Sequence, residues 1–106
     1  MMHALLRRHR AAIAALCHRH RVQTLSVVGS AARGVDFDPI GSDVDFLVEY
    51  IPPIRDDWFD RHMGLIVDLE SLLERDVDVI ERANLQKPDL IASLEADAHL
   101  LYAAEA

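Results

Sequence analysis

The segment VVGSAARG (residues 27–34) has residue types and spacing that suit phosphate chemistry. Its apolar run ends at Gly29 and Ser30, and residues that favour helix follow. The first amide groups of a helix have no partner within it and attract phosphate, and glycine lets the phosphate approach the main chain. Arg33 adds a cationic fork. The segment predicts a phosphate site, although Gly-Ser is also an ordinary way to end a strand.

The segment GSDVDFLVEY (residues 41–50) carries two aspartates that are two residues apart, Asp43 and Asp45. On a strand these side chains project from one face, while Val44, Phe46 and Val48 project from the other. Two carboxylates on one face suit Mg²⁺, which prefers oxygen ligands and often binds through one or two carboxylates plus substrate phosphates. The alternative is a sheet with one wet face, on which acids alternate with core residues without any further role.

A third carboxylate is needed if two metal ions are to be held, and two segments offer one. Asp68 in IVDLE lies within a helical pattern but off its apolar face, whereas Asp78 in VDVIE lies between β-branched residues of a predicted strand. We therefore predict Asp78 as the third ligand. Asp76 shares the face of Asp78 and remains a fallback at the entry to the strand.

Apolar periodicity predicts the elements that would position these side chains. We predict helices over residues 2–20 and 56–74 and a last one from Pro88 through Leu101, with strands over residues 22–28, 43–50 and 76–81. The order αββαβα predicts an α/β (α+β) fold, a small mixed β-sheet covered by helices. A length of 106 residues suits a single domain spanning residues 1–106.

Composition and charge narrow the class of protein. Half the residues are hydrophobic and only four are glycine and four proline, which argues against disorder. Residues 1–21 carry five arginines and no acid, but the rest carries six basic and eighteen acidic residues, which disfavours direct nucleic-acid binding. The chain has one cysteine, Cys17, and we find no long apolar run and no export signal in it. We therefore predict a cytoplasmic protein without membrane contact.

The six histidines and the single tryptophan are predicted to be structural. Metal-binding histidine pairs on helices are three or four residues apart, and no two histidines here have that spacing, which argues against a zinc site. His9 and His62 fall on apolar helix faces, and Trp58 begins the second predicted helix. We expect all three to be packed side chains.

Taken in order, Gly-Ser, Ala-Arg-Gly, Ser-Asp-x-Asp on an apolar strand and a later Val-Asp resemble the minimal nucleotidyltransferases of the polymerase-beta-like superfamily. More narrowly, the chain resembles the MNT antitoxins, the MntA group, which are paired with HEPN ribonuclease toxins. The resemblance extends from the first helix to the closing LLYAA, and the twelve residues between Ser30 and Asp43 fit the family's loop. The stretch VDFDPIG (residues 35–41) departs from it, being apolar and acidic where many members have shorter polar loops.

The resemblance implies the minimal nucleotidyltransferase fold and a role for each matching residue. Nucleotide-binding residues would be Gly29, Ser30, Arg33 and Ser42, and the residues that bind metal and catalyse transfer would be Asp43, Asp45 and Asp78. The first two aspartates would bind both of two Mg²⁺ ions. Asp78 would bind one of them and help to deprotonate the acceptor hydroxyl.

The resemblance also implies an activity and a partner. The chain would be a Mg²⁺-dependent protein adenylyltransferase and antitoxin, moving AMP from ATP to a tyrosine of a HEPN ribonuclease toxin. Two alternatives stay open: a non-catalytic antitoxin that masks its toxin by binding, and a small-molecule nucleotidyltransferase of the aminoglycoside-modifying type. The sequence leaves open a homodimer or a hetero-oligomer with the toxin.

Overall fold

The computed structural model describes residues 4–33, 43–54 and 56–104, apart from the side chains of Ser30 and Arg33. Its helices are α1 (Ala4–Arg8), α2 (Arg10–Arg19), α3 (Gly29–Arg33), α4 (Trp58–Leu73) and α5 (Pro88–Ala96). Its strands are β1 (Val22–Val28), β2 (Val44–Tyr50), β3 (Val77–Glu81) and β4 (His99–Ala103), and a 3-10 turn (Arg82–Asn84) follows β3.

The four strands form one mixed sheet in the order β3-β2-β1-β4. Strand β1 is antiparallel to both of its neighbours, β2 and β4, whereas β2 and β3 are parallel. Helix α4 makes the connection between the parallel pair, as such crossovers require. The predicted mixed sheet with helical cover is confirmed.

The core lies between one face of the sheet and a helical layer. Leu25 pairs with Val48 and Val27 pairs with Phe46 across β1 and β2, so these four side chains share a face, and all are fully buried. The helices contribute the buried side chains Leu6, Ile13, Cys17, Leu65, Leu69 and Leu73 to the same cluster. Since α2 and α4 bury residues in one cluster and touch each other, they form one layer.

The predicted first helix is interrupted, and the predicted last helix is wrong at its end. A turn at His9 separates α1 from α2, although the amide of Ile13 still donates to the His9 carbonyl at 2.9 Å. Helix α5 begins at Pro88 as predicted but stops at Ala96, and residues 99–103 form β4 instead. The leucines and alanines of this segment have high helix propensity. They form a strand because their backbone groups make hydrogen bonds with β1 at the edge of the sheet.

None of the helices within residues 4–33, 43–54 and 56–104 combines the length and apolar character needed to cross a membrane.

Candidate active site

The register of the parallel strands brings two of the predicted aspartates together. Asp45 on β2 and Asp78 on β3 are direct partners in the ladder, so their side chains leave the same face of the sheet side by side. Asp43 comes immediately before β2, two residues from Asp45, and is exposed. All three carboxylates therefore gather where β2 and β3 begin.

The pKa of Asp45 shows that these carboxylates interact. Partial burial raises the pKa of the Asp45 carboxyl above its ordinary value, and the negative charges of Asp78 and Asp43 raise it further. Asp45 is half-buried, whereas Asp43 and Asp78 are both exposed. A cation bound beside Asp45 would stabilise the ionised carboxylate that burial and the neighbouring charges disfavour.

Gly29 forms the other side of the site. Val28, the last residue of β1, pairs with Asp45, and the chain then turns at Gly29 with φ +70° to begin α3. A Cβ atom on Gly29 would lie 2.9 Å from Oδ2 of Asp45, closer than such atoms approach one another. Glycine is thus required both by its backbone angle and by the carboxylate beside it.

The remaining predicted nucleotide-binding residues are described only in part. The backbones of Ser30 and Arg33 belong to α3, directly after Gly29, but their side chains lie outside what the structure describes. Ser42 also lies outside the described residues. The short helix α3 begins where residues that favour helix follow the strand, although the predicted order αββαβα contains no helix there.

The chemistry of the donor set fits Mg²⁺. Within the described residues, no three or more His, Cys, Asp or Glu side chains are placed so that they could hold a metal ion by themselves. The open arrangement of Asp43, Asp45 and Asp78 still supplies carboxylate oxygens on one face, and magnesium characteristically keeps positions for water and substrate phosphates. The residues present therefore fit a magnesium ion whose remaining coordination positions are filled by a nucleotide.

Asp68, the competing candidate for the third carboxylate, lies elsewhere. It is on α4, where its Oδ2 is 2.6 Å from Nε2 of His20 and 3.3 Å from Nη1 of Arg19. These contacts lower the pKa of Asp68, chiefly through the hydrogen bond with His20. Asp76 is exposed just before β3, and its carbonyl accepts the amide of Val44 at 3.3 Å. Of the two main candidates, only Asp78 stands beside Asp45.

Polar residues at the other end of the strands form a packed network. The Trp58 indole donates to Glu81 at 2.7 Å and stacks on His62, whose Nδ1 is 2.8 Å from the Tyr50 hydroxyl. Burial lowers the pKa of His62. These contacts agree with the predicted packing of Trp58 and His62. Arg61, which is buried beside them, was not singled out by the sequence pattern.

A cavity of about 200 Å³ on the Asp45 side of the sheet was also missed. Its lining includes Leu47, two residues beyond Asp45, together with Ser26 of β1 and Leu100 of β4. Alternation along β1 and β2 could have indicated this face, but one wall depends on the unpredicted strand β4. A larger cavity of about 610 Å³ is lined by Val22 and Ile51, at the opposite end of the strands, so its size does not make it the reaction site.

Comparison with known proteins places this geometry in a family. Residues 9–101 match the model of the nucleotidyltransferase domain. A solved structure described as a minimal nucleotidyltransferase is 32% identical, with a TM-score of 0.75, and the match covers 93% of this chain and 95% of that one. A comparison with curated proteins found no match.

More distant structures share the fold. One is a toxin-antitoxin complex with AMP-PNP, 19% identical with a TM-score of 0.67, matched over 91% of this chain and 74% of that one. Another is a tri-AMPylated HEPN toxin in complex with an MNT antitoxin from Shewanella oneidensis, 17% identical with a TM-score of 0.63, matched over 92% and 72%. With the family model covering the strands, the turn and the aspartates, this chain belongs to the nucleotidyltransferase domain family.

Proposed function

We propose that this nucleotidyltransferase transfers AMP from ATP to a tyrosine of a HEPN ribonuclease toxin and thereby acts as its antitoxin. The observation that carries the proposal is the pairing of Asp45 with Asp78 beside the Gly29 turn, which sets carboxylates and a phosphate-accepting backbone at one place. Structural relatives that include AMP-PNP and an AMPylated HEPN toxin support the choice of nucleotide and partner.

In this proposal the Gly29 turn binds the triphosphate. The absence of a side chain at Gly29 leaves its backbone open to phosphate oxygens, and the amides at the start of α3 would donate to them. Ser30 and Ser42 would add hydroxyl donors, and Arg33 would balance phosphate charge. These contacts would hold the α-phosphorus in front of the carboxylates.

Asp78 is proposed to receive the acceptor's proton. The acceptor oxygen attacks the α-phosphorus, an oxygen-phosphorus bond forms, and the bond from the α-phosphorus to the bridging oxygen of pyrophosphate breaks. The proton of the hydroxyl passes to the exposed carboxylate of Asp78 and on to water. Asp43 and Asp45, with Asp78, would hold two Mg²⁺ ions, which supply charge neutralisation and acidify the attacking hydroxyl when bound.

The cavity beside Leu47 and Ser26 gives the acceptor a route along the open face of the sheet. Its lining includes Leu47, two residues beyond Asp45, and Glu95 of α5, a helix without buried residues. A protein segment carrying a tyrosine can approach such an open surface. A cytoplasmic setting is part of the proposal and agrees with Cys17, which is free and buried.

The experiment combines the chain with labelled ATP, Mg²⁺ and a HEPN protein encoded beside it, with intact mass as the measurement. We expect the HEPN protein to gain AMP units, and Asp43→Asn or Asp45→Asn to abolish the gain while circular dichroism stays unchanged. Asp68→Asn is the matched control, because this aspartate lies outside the site. Inhibition of the toxin without any mass gain, persisting in Asp45→Asn, would instead establish masking.

A further inference from the structure

Helix α4 carries a row of large apolar side chains on its outer surface. Phe59, Met63 and Val67 are four residues apart and are 62%, 39% and 56% exposed. Side chains at this spacing lie one above another on a helix, so they form a continuous line, called here the apolar stripe. Single exposed apolar residues are common, but a contiguous line of three indicates a contact surface.

The surroundings of the apolar stripe are acidic. Asp56 and Asp60 are exposed at the Phe59 end, and Glu70 and Glu74 follow Val67 at the other end. Arg61 of α4 is buried, Arg75 after Glu74 is half-buried, and Glu70 accepts the amide of Val77. The exposed acids described at the two ends are therefore Asp56, Asp60 and Glu74. A partner that covers the stripe must therefore bring positive charge to both of its ends.

Helix α2 and the end of α1 present the complementary surface. Ala11 and Ala15 are exposed and four residues apart. The exposed Arg7 and Arg8 stand one turn before them, and Arg19, which also pairs with Asp68 of its own chain, stands one turn after them. We call this row the alanine stripe. It has small side chains in the middle and cations at its ends, whereas the apolar stripe has bulky side chains in the middle and acids at its ends.

The two stripes also match in length. Arg8 to Arg19 spans eleven residue steps and Asp60 to Glu70, the inner acids of the apolar stripe, spans ten, or about 16 and 15 Å along a helix axis. Bulky side chains of one helix fit well against alanines of another, because small residues let the helices approach. Hydrogen bonding continues across the turn at His9, which keeps Arg8 in line with α2.

The two stripes lie on the same side of the molecule. Helices α2 and α4 touch where the ring of His20 packs on Gly64 and where Arg19 pairs with Asp68. Both helices bury their inner residues in one core, so their outer rows face away from the sheet together. Within one chain the stripes are neighbours and cannot cover each other.

We infer that the outer surfaces of α2 and α4 form a two-fold interface between two copies of this chain, with the alanine stripe of each copy covering the apolar stripe of the other. A two-fold axis repeats every contact, so one complementary pair of stripes is used twice. The net charge of −7 opposes association through arbitrary surfaces. Attraction between the basic stripe of one copy and the acidic stripe of the other offsets this repulsion at the proposed interface. The inference does not depend on the proposed function, since the interface is on the helical side of the sheet.

Charge reversal gives a test that other interfaces would not satisfy. One variant carries Arg7→Glu and Arg8→Glu, so the cations at the start of its alanine stripe become acids; the other carries Asp60→Arg and Glu74→Arg, so one acid at each end of its apolar stripe becomes a cation. Sedimentation across a concentration series should show a dimer for the unchanged chain and monomers for each variant alone. Mixing the two variants should restore a dimer, because each contact then joins an acidic row to a basic one.

Truncation and a control complete the test. Phe59→Ala should weaken the dimer by about tenfold or more, as expected for a central aromatic contact, whereas Leu90→Ala on α5, also exposed, should leave it unchanged. Circular dichroism verifies folding, and recovery of the dimer on mixing requires both variants to be folded. A monomeric unchanged chain, or a dimer that neither charge reversal weakens, would overturn the inference. Weakening by Phe59→Ala without recovery on mixing would exclude the pairing of these two stripes.

Discussion

Oδ2 of Asp45 lies so close to the backbone of Gly29 that a Cβ atom there would be only 2.9 Å away. The contact joins the end of β1 to β2, where Val28 and Asp45 are already paired. The turn that we propose to bind phosphate is therefore in direct contact with the carboxylate of Asp45. A nucleotide phosphate held by the turn would lie next to Asp45 without any movement of the strands.

Gly29→Ala should disturb both the fold and the site. The added methyl group meets Asp45 and is also strained by the positive φ of +70°. We expect a loss of about 1–2 kcal/mol in the free energy of unfolding, together with loss of nucleotide transfer, because Asp45 must move. Urea unfolding measures the first effect, and intact mass of the acceptor measures the second.

A second background separates the two causes. In Asp45→Ala the carboxylate is gone, so only the backbone strain remains and Gly29→Ala should cost less than it does in the unchanged chain. An equal cost in both backgrounds would show that the carboxylate does not restrict residue 29.

Asp45→Asn should stabilise the magnesium-free protein at neutral pH. The folded state raises the pKa of Asp45 through burial and the charges of Asp78 and Asp43, so it binds the proton more tightly than the unfolded chain. The ionised group therefore costs stability at neutral pH, and this cost disappears as pH falls through the raised pKa. Melting temperatures in chelator should favour the variant at neutral pH and converge with those of the unchanged chain in acid.

Added Mg²⁺ should reverse that ranking if Asp45 binds metal. Magnesium should raise the melting temperature of the unchanged chain and have little effect on the variant, since binding to the folded state stabilises it. Equal shifts in both proteins would remove Asp45 from the metal site. Asp68→Asn serves as the control that should keep the full shift.

The site could be predicted further than the fold because its evidence is local. Gly29 and Asp45 each stand at a strand end that the apolar pattern reveals, and the strand context of Asp78 distinguished it from Asp68. The structure adds the register that makes Asp45 and Asp78 direct neighbours. The register between β2 and β3 depends on how α4, which connects them, packs on the sheet, and no local pattern contains that information.

Strand β4 and the role of Arg61 were missed because their partners are distant in sequence. The edge strand pairs Ala103 with Thr24, and Ala104 donates to Gln23 at 2.8 Å, across most of the chain. Arg61 is held by backbone carbonyls, which every residue type possesses. Neither kind of contact requires particular residue types, so neither can be recognised in the sequence.

The pair of Asp68 with His20 predicts a pH-dependent contribution to stability. The contacts of Asp68 lower its pKa in the folded state, so they add stability above the ordinary pKa of aspartate and lose it as pH falls through the lowered value. Because the Asp68 side chain is 28% exposed, Asp68→Asn should cost at most about 1 kcal/mol at neutral pH. The difference in urea unfolding should vanish in acid, and a constant difference would mean that the carboxylate charge is not its source.

Arg61 should be the most sensitive charged position outside the proposed site. Its side chain is 7% exposed, and its guanidinium donates to the carbonyls of Arg21 at 2.7 Å, Ile51 at 3.0 Å and His20 at 3.2 Å. It also lies 5.1 Å from the centre of the Tyr50 ring. Removing it takes a charged donor from all three carbonyls, of which that of Arg21 also accepts the amide of Ile51. Because the guanidinium itself is buried, Arg61→Met should lower the free energy of unfolding by about 3 kcal/mol.

Arg61→Lys should recover little of this loss, because one ammonium group cannot reach all the carbonyls that surround the planar guanidinium group. Arg82→Met is the matched control: Arg82 contacts Glu95 at 2.7 Å, as short as any contact of Arg61, but both side chains are more than 40% exposed. Urea unfolding should show a much smaller effect for this variant. Equal losses for Arg61→Met and Arg82→Met would mean that the buried carbonyls find water instead, and that burial does not set the value of the Arg61 contacts.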